Sequence, residues 1–196
     1  MQTITLIAFS VWTAFLSCLT LAHAEQTETQ FKVRLVADPQ TFDWNLATSA
    51  METPVLMNIM EGLVAFDQKM KLVPSLAKSW SASQDQKTFT FKIKDNVKWS
   101  DGRTLIAQDF VDSWQRLLNP LTAAPYAYIL YDIEGAEDYN TRKTLDFNNV
   151  GVKALNPTTL EVKLRKPISF FPQMLTFWVT FPIRKDLITK HGSTWS

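Results

Sequence analysis

Reactive side chains are scarce in this sequence. It holds one cysteine, Cys18, and two histidines, His23 and His191. Cys18 and His23 both fall in an apolar N-terminal segment, and their removal with it would leave no thiol, hence no disulfide and no cysteine nucleophile. His191 would then be the sole histidine, in a charged C-terminal stretch without a serine partner, and it reads as a solvent-facing residue rather than a catalytic base. A secreted hydrolase is therefore the weaker alternative. There is no cysteine or histidine cluster for a metal. The carboxylates Asp132, Glu134, Glu137 and Asp138 lack the spacing of a calcium loop and read as a solvated acidic surface. No metal, no cofactor and no enzymatic activity are expected. An excess of one charge is missing too: 20 Lys and Arg face 19 Asp and Glu, a net charge of +1. Such a chain has no field to hold nucleic acid or an anionic membrane surface. Internal repeats and low-complexity tracts are also absent.

What is present is core-forming material. Hydrophobic residues make up 46% and aromatic residues 12%, enough to bury a core and unlike the composition of a disordered chain. The first 24 residues carry no charged side chain, and Ile4 to Ala22 is almost unbroken apolar sequence. It ends in Ala22-His23-Ala24 before the polar Glu25, Gln26 and Thr27. Small residues on either side of His23 predict a signal peptide over 1–24, cleaved before Glu25. The alternative, a permanent anchor, is met by the length of the run but not by a basic flank. Met1, Gln2 and Thr3 lack the usual positive charge, which implies a weak signal or a different start. Lipidation at Cys18 is the lesser expectation, because Phe15 stands where a lipoprotein signal carries leucine.

Past this segment, strands alternate with helices. Phe31 to Ala37 alternates apolar and basic side chains and ends at Asp38-Pro39-Gln40, predicting a first strand. From Pro54, Val55, Ile59, Met60 and Leu63 recur at helical spacing, with Thr53 as cap and Gly62 as the end. Thr88 to Lys94 puts Phe89, Phe91 and Ile93 on one face of a strand. Asp109 to Leu118 aligns Phe110, Val111, Trp114, Leu117 and Leu118 along a helical stripe stopped by Asn119-Pro120, which supplies the cover for that face. Val150 to Leu155 and Thr159 to Arg165 predict a hairpin around Asn156-Pro157. Trp99-Ser100-Asp101-Gly102 reads as a tight turn, and Trp80, Trp99 and Trp114 read as packing residues.

Several of these pieces occur in a telling order. Val73-Pro74-Ser75-Leu76-Ala77-Lys78-Ser79-Trp80 precedes the aromatic strand. Val97-Lys98-Trp99-Ser100-Asp101-Gly102 follows it. A helix then opens with Ala107-Gln108-Asp109-Phe110 and runs into Ser113-Trp114-Gln115-Arg116-Leu117-Leu118-Asn119-Pro120. Five phrases in this order resemble the bacterial extracellular solute-binding proteins of family 5, which serve oligopeptide, dipeptide and nickel importers. Ala123 to Ala127, Gly151 to Leu155 and Pro182 to Trp195 resemble the oligopeptide branch, and the likeness covers residues 31–196. One position departs from the pattern. Ile106 stands where relatives carry Ser or Thr, so a helix cap is lost at a cost of about 1 kcal/mol.

The resemblance implies a mixed α and β fold, the N-terminal part of a two-lobed periplasmic binding protein. On that plan, 25–60 and 185–196 belong to the first lobe and 61–184 form an accessory lobe of antiparallel strands and helices. The second large lobe lies beyond residue 196, so the chain reads as truncated and is expected to bind peptide weakly or not at all. A non-functional piece of a split or frameshifted gene is the alternative. The implied function is extracytoplasmic peptide binding for an ABC importer, in a periplasmic monomer whose partners are a peptide ligand and the importer's membrane permease. In such proteins an extended peptide is held mainly through its backbone. Tyr126 matches a cleft-lining tyrosine whose hydroxyl can bond a peptide carbonyl. Thr48 to Glu52 matches a loop offering backbone groups, with Ala50 and Met51 as its contributors.

Overall fold

A computed structural model describes residues 32, 34, 35 and 37–196. The 1–24 segment, with Cys18, lies outside the described residues. So do Phe31, Val33 and Val36 of the expected first strand; its described members Lys32, Arg34, Leu35 and Ala37 are not in a strand. Among the described residues no helix is long and apolar enough to cross a membrane.

Eleven helices and strands organise residues 52–191. They are α1 (Glu52–Ile59), β1 (Val64–Phe66), β2 (Leu72–Pro74), β3 (Ala77–Ala82), β4 (Thr88–Ile93), α2 (Ala107–Leu118), α3 (Ala136–Asn140), β5 (Val152–Asn156), β6 (Thr159–Lys163), α4 (Phe171–Met174) and α5 (Lys185–His191). β1 and β2 form a small antiparallel hairpin, closed by Asp67, whose carboxylate accepts from the Lys69 and Lys71 amides, both at 2.8 Å. The main sheet is antiparallel in the order β3-β4-β6-β5, with Phe91 opposite Trp80 on one side and Leu160 on the other.

The period-two pattern of β4 works as expected. Phe89, Phe91 and Ile93 are buried, and α2 lies over the sheet with Phe110, Val111, Trp114, Leu117 and Leu118 buried along one stripe. Burying each such side chain stabilises the fold by about 1.5–3 kcal/mol, which makes this sheet and helix the main cohesive unit. The hairpin of β5 and β6 also forms where the sequence places it, with Asn156 Oδ1 accepting from the Thr158 amide at 3.1 Å.

Two local expectations are corrected. α1 begins at Glu52 rather than at a Thr53 cap, and it ends at Ile59, with Met60 extended. Gly62 lies past that end, and its smallness has another cause: a Cβ there would stand 2.5 Å from the Phe181 ring. At α2, Ile106 does occupy the capping position and supplies no side-chain cap. The cap is replaced from elsewhere. The Asp109 carboxylate accepts from the Ile106 amide at 3.0 Å, and the Ala107 amide donates to the Pro157 carbonyl of the hairpin turn at 2.7 Å.

The 99–102 turn is tight, with the Gly102 amide donating to the Trp99 carbonyl at 2.9 Å and Gly102 at φ +88°. Asp101 accepts from the Arg103 amide ahead of it at 3.1 Å, as the sequence suggested. Its other oxygen accepts from Arg184 at 2.7 Å; Arg184 also grips Asp186 and lies over the Trp99 ring. Trp114 is fully buried, while Trp80 and Trp99 pack partly buried against the core.

Buried residues fall into two clusters. The larger runs from Leu63 to Val179 and contains the sheet and α2; the smaller comprises Trp44, Ala47, Leu56, Phe181 and Ile183. The acidic surface expected at 132–138 is mostly paired rather than merely solvated. Arg165 bonds Glu137 at 2.8 Å, Lys166 reaches Asp132 at 3.2 Å, and Lys143 reaches Asp138 at 3.1 Å.

Candidate functional site

Glu52 organises the loop before α1. Its side chain is buried, one carboxylate oxygen accepting from the Gln40 amide at 2.9 Å and the other from the Ser49 amide at 2.8 Å and the Ser49 hydroxyl. The Ser49 hydroxyl first, then these backbone amides, hold the carboxyl below the usual carboxylate range. The Thr53 hydroxyl donates back to the Ser49 carbonyl at 3.1 Å. Held this way, the loop leaves Ala50 exposed and Met51 half-buried. Pro54 has no N–H, so the Ala50 carbonyl lacks the donor that a helix would offer it four residues on. The loop therefore presents backbone rather than side-chain chemistry.

Tyr126 is half-buried in an aromatic group that includes two residues the sequence reading missed. Its ring meets Phe177 edge-on at 5.2 Å and Trp178 at 6.2 Å, and Phe177 and Trp178 stack at 4.0 Å. The Tyr126 hydroxyl makes no hydrogen bond to another described residue, so the ring is fixed while the hydroxyl stays available. Trp178 then joins the two halves of the site. Its indole N–H donates to the Ala47 carbonyl, one side of the loop that carries Ala50 and Met51, at 3.4 Å. The structure thus brings Tyr126 and the 47–51 loop to either side of a single tryptophan. The Phe177-Trp178 pair was visible in the sequence as adjacent aromatics, but nothing local marked it as the bridge.

A buried polar network supports this loop from behind. Arg116 of α2 donates to both carboxylate oxygens of Asp43, the longer bond being 2.9 Å, and to Asn45 at 2.7 Å. Asn45 in turn donates to the Val179 carbonyl at 3.1 Å, and Trp195 donates to Asp43 at 3.1 Å. No group of three or more His, Cys, Asp or Glu suited to a metal is found among the described residues. His191 is exposed in the last helical turn of α5. Together, Tyr126, Trp178 and the 47–51 loop set an exposed loop backbone beside an aromatic face.

The class is that of the bacterial extracellular solute-binding proteins. Residues 71–194 match the bacterial extracellular solute-binding proteins, family 5, middle region, and the chain belongs to that family. It is 34% identical to the probable deoxycholate-binding periplasmic protein YgiS of Escherichia coli over 168 residues, which cover 85% of this chain and 31% of that protein. It is 35% identical to the periplasmic oligopeptide-binding protein OppA of Escherichia coli, covering 82% of this chain and 30% of that protein. The crystal structure of Haemophilus influenzae OppA in complex with RPPGFSPFR superposes with a TM-score of 0.77 at 35% identity, covering 81% of this chain and 31% of that one. The chain spans about a third of the length of the relatives it matches. These relatives are binding proteins of the periplasm by name, and the mixed α and β architecture is theirs.

Proposed function

We propose that this chain forms one wall of the peptide cleft in the extracytoplasmic substrate-binding component of an ABC importer for oligopeptides. The observation that carries this reading is Trp178, which links Tyr126 to the Ala47 carbonyl and so joins an aromatic face to an exposed loop backbone. An extended peptide laid along this wall would find the Ala50 carbonyl for a main-chain N–H and the Tyr126 hydroxyl for a main-chain carbonyl, with Met51 beside them. Recognition through the backbone tolerates many side chains, as an uptake protein for mixed peptides requires. No step of bond making is assigned to it.

The lobe assignment belongs to the same proposal. Residues 25–60 and 185–196 are assigned to the first lobe and 61–184 to the accessory lobe; the smaller core cluster, with Trp44 and Leu56 packed beside Phe181 and Ile183, lies where the two assigned segments meet. Residues 1–24 act as a cleaved export signal, and the exported protein works as a monomer with the importer's permease. Tested by itself, this wall is expected to bind peptide weakly or not at all, at best in the roughly millimolar range. The test is a titration of trialanine into the isotope-labelled chain, followed by amide NMR. Expected are small shifts at 48–51, Tyr126 and Trp178, lost in Tyr126→Ala. Shifts confined to other surfaces would sink the proposal, and micromolar affinity by calorimetry would sink the single-wall account.

A further inference from the structure

Three consecutive carbonyls, those of residues 179–181, are each taken by a buried side-chain donor. The Asn45 amide donates to Val179 at 3.1 Å and the Trp114 indole to Thr180 at 2.8 Å. Phe181 receives both the Ser113 hydroxyl, at 2.6 Å, and the Trp44 indole, at 3.3 Å. Trp178–Thr180 is a single 3₁₀ turn, too short to hold its own shape. Its place is therefore set from outside, by α2 on one side and the 43–47 loop on the other. Asn45 and Trp178 bridge the same two segments in opposite directions: the Asn45 side chain reaches the Val179 backbone, and the Trp178 side chain reaches the Ala47 backbone. The Trp178 bond is the longer, 3.4 Å against 3.1 Å, and the less buried, so the Asn45 bond fixes the spacing.

The direction of the Asn45 amide is itself determined. A guanidinium carries only donors, so the atom that faces Arg116 at 2.7 Å must be the carboxamide oxygen, which turns the NH2 group toward Val179. Arg116 is fixed in turn by its two bonds to Asp43. Contacts thus run from Arg116 through Asn45 and Val179 to the Trp178 ring, which meets Tyr126 on one side and the Ala47 carbonyl on the other. Asn45 and Val179 are fully buried, so neither meets a ligand, and their effect on one passes through Trp178.

We propose that Asn45 is a positioning residue of the peptide wall, a role that rests on the function assigned above: it sets where the Trp178 ring stands, and so the spacing between Tyr126 and the loop that carries Ala50. Asn45→Asp tests this, because a carboxylate still accepts from Arg116 but cannot donate to Val179. Asn45→Ala, which adds no charge beside Asp43, serves if the first variant does not fold. Val162→Ala is the control, a fully buried position in the main sheet where a cavity lowers stability away from the wall. In the isotope-labelled 196-residue chain without ligand, the Trp178 indole N–H signal shifts in the Asn45 variants and its hydrogen exchange quickens about threefold to tenfold. The Tyr126 ring signals shift with it, and in Val162→Ala both stay where the parent has them. With trialanine, the response at Tyr126 and Trp178 needs about threefold to tenfold more peptide in Asn45→Asp than in the parent. The proposal is overturned if the indole is unmoved in the Asn45 variants, or if Val162→Ala moves it equally. The indole signal needs no peptide, so a trialanine response confined to other surfaces counts against the peptide wall, while a moved indole still supports the positioning by Asn45.

Discussion

Asp186, Asp101 and Glu52 share one electrostatic habit. Each carboxyl is held below its ordinary range: Asp186 mainly by its hydrogen bond from Arg184, Asp101 by the same guanidinium, and Glu52 by the Ser49 hydroxyl. Asp109 behaves oppositely, since burial raises it against the hydrogen bonds from Ile106 and Trp99 and the charge of Arg103. The signs follow from linkage. A depressed carboxyl contributes stability that is complete above its unfolded value, about 4, and is lost as pH falls through the folded value. Asp109 instead contributes more as pH falls. With Asp85 and Asp95 also held low, five groups against one predict that chemical-denaturation stability declines below about pH 4, and that Glu52→Gln, which cannot titrate, declines less steeply than the parent. Identical acid limbs for the two proteins would contradict the assignment of Glu52. Ser49 and Arg184 stand near Glu52 and Asp186 in sequence, but the Gln40 amide on Glu52 and the Arg184 guanidinium on Asp101 meet their carboxylates only after the loops have closed.

At the scale of elements, the legible parts were those whose signal is local. The α2 stripe and the alternating aromatics of β4 declare themselves through side-chain period, and the Asn156-Pro157 turn through its backbone preferences. β1 and β2, at three residues each, are too short to show a period. β3 lies at the sheet edge, and its Ala-Lys-Ser-Trp-Ser-Ala run exposes most of its residues, so no alternation betrays it. The α2 start was half read. Ile106 does lack a cap, but Asp109 and Pro157 take over the free amides, the second from 50 residues away in sequence. Because the Ile106 backbone already has the extended geometry of a capping residue, φ −130° and ψ 163°, a hydroxyl there adds to an arrangement that fits it. Ile106→Thr is therefore expected to raise unfolding free energy by about 0.5–1 kcal/mol, read from urea denaturation. A loss of stability would mean that the isoleucine side chain does more in packing than the missing hydroxyl would do in capping.

Across the whole molecule the two core clusters are unequal. The sheet with α2 holds Phe89, Phe91, Phe110, Trp114 and Phe171 fully buried, whereas the smaller cluster rests on Trp44, Leu56, Phe181 and a few neighbours. Opening free energies should follow that difference. Hydrogen exchange is expected to be slowest in β4, β6 and α2 and distinctly faster in α1 and α5. Uniform protection across all five would overturn the idea of two units of unequal strength. The candidate site draws on both clusters, which explains why only part of it could be read in advance. Tyr126, Ala50, Met51 and the loop that ends at Glu52 came from the resemblance, while the part played by Trp178 became visible only when chain segments more than a hundred residues apart met at Ala47.

The Pro157 carbonyl that receives the Ala107 amide gives the β5–β6 turn an unusual standing for a surface loop. Its length is set by the place where a helix elsewhere must begin, so one inserted residue would displace that start as well as the turn. In a lineage of such proteins, length variation should gather at 141–146 and spare 155–158. The tip that looks freest to drift would then be among the most constant in length.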